Sequence, residues 1–559
     1  MADQVIYDNT INHFDSFATG PTTKRVIIDV ADNSNADYSL GESIFESDTI
    51  ANNGYWQDYR NAYIDMPVVL ELGSVGDATD FTSYVGGDLA LALKSSNYNL
   101  IHSIQIDAGG NIYKSTDYIN HFINFELNTK MDLNDEAING PTLNFYKSTS
   151  ESWKFIDVST PYGEGLCNNA NVNAYNNSST ITGLVTNAGL CKSQQNFISL
   201  SSDEKTGLLG TDINNYKLTG RKVIENTAKT KKYYFNMILR LRDLPFFDQM
   251  PLSRGCNFKI TLRYNMPTFH VTKDAAGDLF FNPLKYTNRG GTNPVMFCAS
   301  SIIAGSVKNE FGLDDVDTAT SLSNTATTLD VYSGGSKMLE CDKEYTVKLM
   351  LGGSSAIRRT GRLYVPCYEL SPDSENALLS LPPRKITYTQ HYFKAYKNVA
   401  AGSFQQLIHN GVSRPTRLVI MPFLSKATNT GFEQVISPFS DGMLCPHIIS
   451  NINLRVAGEP IYKSNINYTY QMFLNEMVSN DKNENQIMGL VSSRISEVDY
   501  VNTYGYIVFD LRRRNMSEEN VKKSLEFSCD ILAPASLDLY CFVEYETDVT
   551  LDFKTGQLS

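Results

Sequence analysis

One short order of residues occurs twice in this chain. Ile-Tyr-Lys-Ser stands at Ile112–Ser115 and again at Ile461–Ser464. In 559 residues about one such four-letter match is expected by chance, so the tetrapeptide alone proves nothing. Its surroundings carry the argument. Each copy follows an apolar run and a Gly-bearing turn, "IQIDAGGN" from Ile104 and "INLRVAGEP" from Ile452. Further upstream, each half holds Met-Pro inside an apolar run, at Met66–Pro67 and Met421–Pro422. Downstream, Tyr118, Phe122 and Phe125 recur at helical spacing, as do Ile466, Tyr470, Phe473 and Met477. Ser115 or Thr116, and Ser464 or Asn465, are the expected N-caps of these short helices. A later strand ends in Leu-Arg both times, "LRLRDL" from Leu239 and "FDLRRR" from Phe509. A colinear series of this length is not a chance match. It implies a duplicated domain.

The repeated unit is a β unit. "FKITLRY" places Phe258, Ile260, Leu262 and Tyr264 on one face and Lys259, Thr261 and Arg263 on the other. "YTVKLML" from Tyr345 and "LDLYCFVEY" from Leu537 repeat the period of two. The 32 Tyr and 28 Phe, with abundant Asn, Ser and Thr, favour strands and polar loops over helical bundles. All-β domains run to roughly 200–250 residues, so two of them account for the length. The expected division is an N-terminal arm (1–20), a first domain (21–294) and a second (295–559). In the arm, Val5, Ile6, Tyr7, Ile11 and Phe14 offer apolar anchors for a clamp. The first domain carries an exposed insertion over about 132–222, rich in Asn, Ser, Thr and Gly, as in "NNANVNAYNNSSTITG" from Asn168.

Charge and cysteine usage exclude several classes. The formal net charge of -13 argues against coating nucleic acid, and the start lacks a Lys/Arg block. "KTKK" (229–232) and "LRRRN" (511–515) read as solvated strand ends. "MADQVIYDNTINHFDSF" has neither the basic nor the apolar part of a secretory signal, and no run of 18 apolar residues exists. The nine cysteines are scattered without a CxxC pair, which suits a reducing compartment. Without a secretory route, the sequons at Asn177, Asn467 and Asn515 carry little weight.

Catalytic signatures are missing. The sequence has no G-x-S-x-G, HExxH, Walker A or GxGxxG pattern. The seven histidines are scattered, and His270 and His391 read as structural strand residues. Cys256 reads as a semi-buried structural thiol. Asp314, Asp315 and Asp317 lack the Gly and distal Glu of a Ca²⁺ loop and read as solvated acids. No catalytic residue, cofactor site or metal site is expected.

Several segments resemble the double jelly-roll major capsid proteins, most of all those of polinton-like viruses and virophages. "LRLRDLPFFDQMPLSRGCNFKITLRYN" (239–265) resembles the family's link between late strands of the first jelly roll. "PPRKITYTQHYFKAYKNVAAGSFQQLIHNGVSRPTRLVIMPFL" (382–424) resembles the start of the second. "VAGEPIYKSNINYTYQMFLNEM" (456–477) resembles its turn and helix. "YGYIVFDLRRRN", "LDLYCFVEYE" and "VTLDFKTGQL" resemble its closing strands. The resemblance spans about residue 55 to the end, and the 132–222 insertion carries none of it.

The resemblance implies an all-β chain of two tandem eight-stranded jelly-roll sandwiches, with short helices and long loop insertions. It implies a homotrimer with six jelly rolls, a pseudo-hexagonal tile of the icosahedral capsid of a DNA virus. The implied partners are neighbouring trimers, penton proteins and minor capsid proteins, without sequence-specific nucleic-acid binding. The implied location is the virion, after synthesis in the host cytoplasm or nucleus and without secretion; contact with a membrane stays open. Two rival readings remain. A tandem jelly-roll carbohydrate-binding or adhesion protein would need exposed aromatic platforms at loop tips. A β-sandwich glycoside hydrolase would need a carboxylate pair that sequence cannot single out among 61 acidic residues.

Overall fold

The structure is a computed structural model. It describes residues 22–559 apart from 75–88, 146–154, 158–182, 186–222, 300–344, 353–359, 426–447, 481–494, 513–520 and several shorter loops. The N-terminal arm, the aspartates at 314, 315 and 317, and the Asn-rich stretch from Asn168 lie outside the described residues.

Two sandwiches follow each other. The first is built from β1 (Thr22–Ala31), β2 (Glu42–Glu46), β3 (Tyr63–Ser74), β4 (Ile101–Ala108) and β5 (Asn111–Asp117). Helices α1 (Ile119–Lys130) and α2 (Leu133–Leu143) come next, then β6 (Thr230–Arg240), β7 (Phe258–Tyr264), β8 (Tyr345–Leu351) and β9 (Arg362–Leu370). Helix α3 (Pro372–Leu379) leads to the second sandwich. Its strands are β10 (Arg384–Val399), β11 (Gly402–Val412), β12 (Pro415–Leu424), β13 (Ile449–Val456) and β14 (Glu459–Pro460). After helix α4 (Tyr470–Asn480) come β15 (Ile507–Asp510), β16 (Lys523–Ile531) and β17 (Leu537–Leu551).

The strand orders repeat from one sandwich to the other. One sheet of the first sandwich runs β1-β9-β3-β6, and its facing sheet runs β2-β7-β4-β5. The second sandwich runs β10-β17-β12-β15 and β11-β16-β13-β14. Setting β8 aside, both read first-eighth-third-sixth and second-seventh-fourth-fifth, the jelly-roll order expected from the resemblance. The period of two is visible in burial. Along β16, Leu525, Phe527, Cys529 and Ile531 are buried and the residues between them half-buried. In β7, Lys259 and Arg263 are exposed while Phe258, Ile260, Leu262 and Tyr264 are buried, as their alternation requires.

The sheets correct the expected division at 294/295. Strands β8 and β9 both lie beyond it, yet both pair with β3 of the first sandwich. They share one edge of that long strand: β9 takes Tyr63–Asp65 and β8 takes Val68–Ser74. The eighth strand of the first sandwich is β9, delayed by a long excursion, so the first sandwich runs to Leu370. Sequence order alone assigned that strand to the wrong half. The insertion expected from 132 also starts too early, because α2 follows at once and Leu143 and Phe145 are buried.

The matched letters map onto matched strands with one twist. Met66–Pro67 and Met421–Pro422 both lie on the third strand of their sandwich. Met421 stands opposite Tyr540, whose ring contacts α1 outside the second sandwich. Met66 is adjacent to Ile64, Tyr63 and Asp65 in a strand where Asp65 opposes exposed Arg362 and Ile64 opposes buried Leu363. Met66 therefore faces inward and Met421 outward. A one-residue offset flips a strand position to the other face. The strand is duplicated; the side-chain role is not.

The tetrapeptide also resolves. Ile112–Ser115 lies in β5, after the Gly109–Gly110 turn, and Ile461–Ser464 follows β14 and the turn at Gly458. The proposed caps are displaced in both copies. Ser115 and Thr116 are still strand, and α1 begins after Tyr118, which has φ 55. In α4, the Thr469 Oγ1 accepts from the Met472 N–H at 3.4 Å. The turn from strand to helix comes several residues later than the polar letters suggest.

Candidate assembly interface

Helix α1 has two working faces, which fix the two sandwiches against each other. Asn120, Asn124 and Asn128 recur every four residues and are all buried. Asn124 Nδ2 donates to Asn99 Oδ1 (2.6 Å) and its Oδ1 accepts from Ser96 Oγ (2.6 Å), while Asn120 Nδ2 donates to Thr292 Oγ1 (2.8 Å). These bonds tie α1 to its own half, since a buried amide needs such partners. The opposite face carries Tyr118, His121, Phe122, Phe125 and Glu126, and it lies on the outer face of β10, β17 and β12.

That contact is an aromatic seam. Tyr118 stacks on Phe393 with centroids 4.4 Å apart and meets His102 edge-on at 4.5 Å. His121 lies 5.3 Å from both Phe423 and Tyr540. Phe122 packs 3.9 Å from the His391 ring and 5.9 Å from Phe542, and Phe125 meets Tyr506 edge-on at 4.8 Å. Burying one such ring is worth about 1.5–3 kcal/mol, and aromatic pairing adds about 0.5–1.5. The seam explains why residues Leu537–Val543 of β17 are buried without interruption: one face lines the second sandwich and the other is covered by α1. Tyr118 holds a left-handed backbone that costs a non-glycine residue about 1–2 kcal/mol. Its ring contacts over-determine that strain.

One charged group is sealed in the seam. The Arg417 side chain is 5% exposed. Its Nε donates to Glu544 Oε2 at 2.7 Å, and its Nη2 donates to Glu126 of the other half. The guanidinium lies over the Phe125 and Phe122 rings, 5.1 and 5.5 Å from their centroids. Lys130 also pairs with Glu126. Burial pushes the Glu126 carboxyl up, but Arg417 and Lys130 outweigh it and hold the group down at about 2. Burial alone would lower Arg417, and the two carboxylates raise it instead.

A second clasp lies at the far end of the joint. After β17 the chain folds back, with Thr550 and Ser559 exchanging both backbone hydrogen bonds. Phe553, buried, sits 6.4 Å from Trp56 of the first sandwich. The Cys256 Sγ donates to the Gly556 carbonyl at 3.1 Å. Gly556 has φ +68, and a Cβ there would lie 2.2 Å from the Arg254 carbonyl oxygen, so only glycine suits the position. Cys256 is fully buried, deeper than the sequence suggested, and burial pushes its thiol up to about 11. Phe246 adds an edge-on contact with Tyr388 at 5.0 Å.

The residues weighed for chemistry do not converge. His391 is buried in the seam, 3.9 Å from Glu544, while His270 lies on the strand Thr268–Lys273. Among the described residues no group of three or more His, Cys, Asp and Glu side chains could hold a metal ion. Among them, too, no helix is long and apolar enough to cross a membrane. Sequence reasoning missed Arg417, Glu126 and the Asn stripe. The signals were present: an arginine inside the apolar "TRLVIMPF", and Asn at every fourth place of "INHFINFELN".

No protein-family model and no curated protein matches the chain. Solved structures do. A chain from the 3.5 Å cryo-EM structure of the Sputnik virophage matches with a TM-score of 0.51 at 11% identity, covering 98% of this chain and 90% of that one. The mavirus major capsid protein gives a TM-score of 0.42 at 11% identity, with coverage of 95% and 89%. The Faustovirus major capsid protein gives 0.43 at 10%, with coverage of 96% and 91%. The Sputnik likeness extends over nearly the whole of both chains and agrees with the strand orders: the fold is a double jelly roll.

Proposed function

We propose that the chain is a major capsid protein, and that three copies form a pseudo-hexagonal tile of an icosahedral virus shell. The observation that carries this reading is the joint. Two sandwiches of one strand order are fixed side by side by an aromatic seam, a buried ion cluster and a C-terminal clasp. A binding module with two independent sites needs no such rigidity, whereas a wall element does. The whole-length fold likeness to a chain of the Sputnik virophage supports the same reading, by analogy of fold. Large exposed hydrophobic side chains among the described residues are aliphatic, such as Ile27, Leu40 and Leu407, so no aromatic glycan platform supports the adhesion reading there.

On this reading the protein acts by assembly and not by turnover, and its place is the virion. Its partners are copies of itself, then neighbouring trimers, penton proteins and minor capsid proteins. Many weak lattice contacts act together to hold such a shell. The test is the purified protein by light scattering and negative-stain microscopy. The expected result is a trimer of roughly 187 kDa, three times the 62.4 kDa chain, with a hexagonal outline. A monomer that persists at micromolar concentration, with no larger particle, overturns it.

A further inference from the structure

Asn-Gly occurs three times in the chain, at Asn53–Gly54, Asn139–Gly140 and Asn410–Gly411. The pair matters because an asparagine side chain can react with the backbone that follows it. The next backbone nitrogen lies within reach of the side-chain carbonyl carbon, and a glycine leaves that approach unshielded. How fast a folded chain reacts depends on how firmly the two groups are held.

The fold holds the three pairs differently. Gly140 is buried inside α2, where the helix ladder engages the backbone N–H groups. Asn53 is pinned by its side chain: its Oδ1 accepts from the Tyr55 N–H at 2.9 Å, and its Nδ2 is buried. Asn410–Gly411 has neither restraint. It sits on β11, an edge strand of its sheet, and Asn410 is exposed. Asn410 stands opposite Ser524 of β16 and Val412 opposite Lys523, so Gly411 is the extra residue of a β-bulge. The extra residue of a bulge is unpaired, and the ladder is disrupted around it. Gly411 also has φ +135, a backbone that suits glycine and strains other residues. The bulge therefore demands the very residue that leaves Asn410 most open to attack. The Lys522 stem passes beside it, 3.5 Å from where a Gly411 Cβ would stand. Lys522 is exposed, and it offers an opposite charge to an acidic product.

We propose that Asn410 is a self-modification site, deamidating to aspartate and isoaspartate in the folded protein. The Gly411 nitrogen attacks Asn410 Cγ. The N–Cγ bond forms, the Cγ–Nδ2 bond breaks, and ammonia leaves with the amide proton. Water then opens the cyclic imide at either carbonyl. One opening gives aspartate. The other gives isoaspartate, which routes the backbone through the side chain and lengthens it by one carbon. Water is the sole co-reactant. Each event adds one negative charge to a chain whose formal net charge is -13. A copy that is not replaced records its age at this position.

Peptide mapping by mass spectrometry tests the site on the purified full chain, incubated at neutral pH. In the folded protein Asn410 is expected to lose its amide roughly tenfold faster than Asn139, whose glycine must first leave the helix ladder. Asn53 is expected to lag as well. In urea, where no fold restrains them, the three pairs are expected to react at similar rates. Asn410→Gln, with its unfolding midpoint unchanged, is expected to slow the growth of acidic forms on ion exchange. Asn410 reacting no faster than Asn139 in the folded chain overturns the site. Acidic forms that grow as fast in Asn410→Gln do the same. An advantage of Asn410 that persists undiminished in urea overturns the role given to the bulge.

Discussion

Helices α1 and α4 occupy the same place in two copies of one fold, yet their surroundings differ. α1 is enclosed: Asn120 and Asn124 bind it to its own sandwich, while Asn128 and the rings bind it to the next. α4 keeps Phe473 inside, with Tyr468 just before it also buried, while Gln471 and Asn475 remain in water. Duplication preserved the fold requirement, a helix closing one side of a sandwich. It did not preserve the outer face. Where the chain supplies a permanent neighbour, that face became aromatic and acquired a buried arginine. A soluble subunit cannot carry the same apolar stripe exposed without risking promiscuous association.

Breaking the seam should show the difference at full scale. Arg417→Ala leaves Glu126 and Glu544 facing each other without their shared cation, and is expected to cost about 3–5 kcal/mol in denaturant unfolding. Phe122→Ala is expected to cost about 3–5 kcal/mol. Its counterpart Gln471→Ala should stay within about 0.5 kcal/mol in the isolated chain. If the two matched positions gave equal losses, the contrast between the helices would be wrong. At the second clasp, Gly556→Ala forces a Cβ against the Arg254 carbonyl and is expected to cost about 1–3 kcal/mol. It should also speed labelling of the Cys256 thiol, measured by quench with a thiol reagent under native conditions.

A further effect is acid-dependent. Glu126 is held at about 2 in the folded chain, below its unfolded value near 4.5. Its contribution is fully present above about pH 4.5 and is lost as pH falls through about 2. Unfolding curves between those limits should therefore shift less with pH for Glu126→Gln than for the natural chain. Equal pH slopes for both would remove Glu126 from the ion cluster.

Much of this architecture was legible in the letters. Alternation in "FKITLRY" gave the right faces, and the colinear repeat marked the right strands and helices. Patterns limited to one element were readable because period and burial coincide. What failed was long-range pairing. Nothing within "RLYVPCYEL" says that Cys367 will stand opposite Val26, so the strand was assigned by position to the wrong half. The joint was hidden for the same reason. Phe122 and Phe125 look like an ordinary core stripe, and only the fold shows that their core lies in the other sandwich. The Met-Pro match shows a subtler limit, since equal letters in equivalent strands point to opposite faces.

The late arrival of β9 has a consequence for how the protein is made. On the ribosome, β1 emerges first, but the strand that pairs with it over Thr22–Ala31 ends only at Leu370. Until then the first sandwich has an unfilled slot beside β1 and β3, while the second sandwich has barely begun. An unpaired edge of this kind invites pairing with other chains. The second sandwich has the same slot between β10 and β12, but β17 fills it within the shorter span Arg384–Leu551. Synthesis rate and chaperone supply should therefore govern yield mainly through the first sandwich, although it leaves the ribosome first.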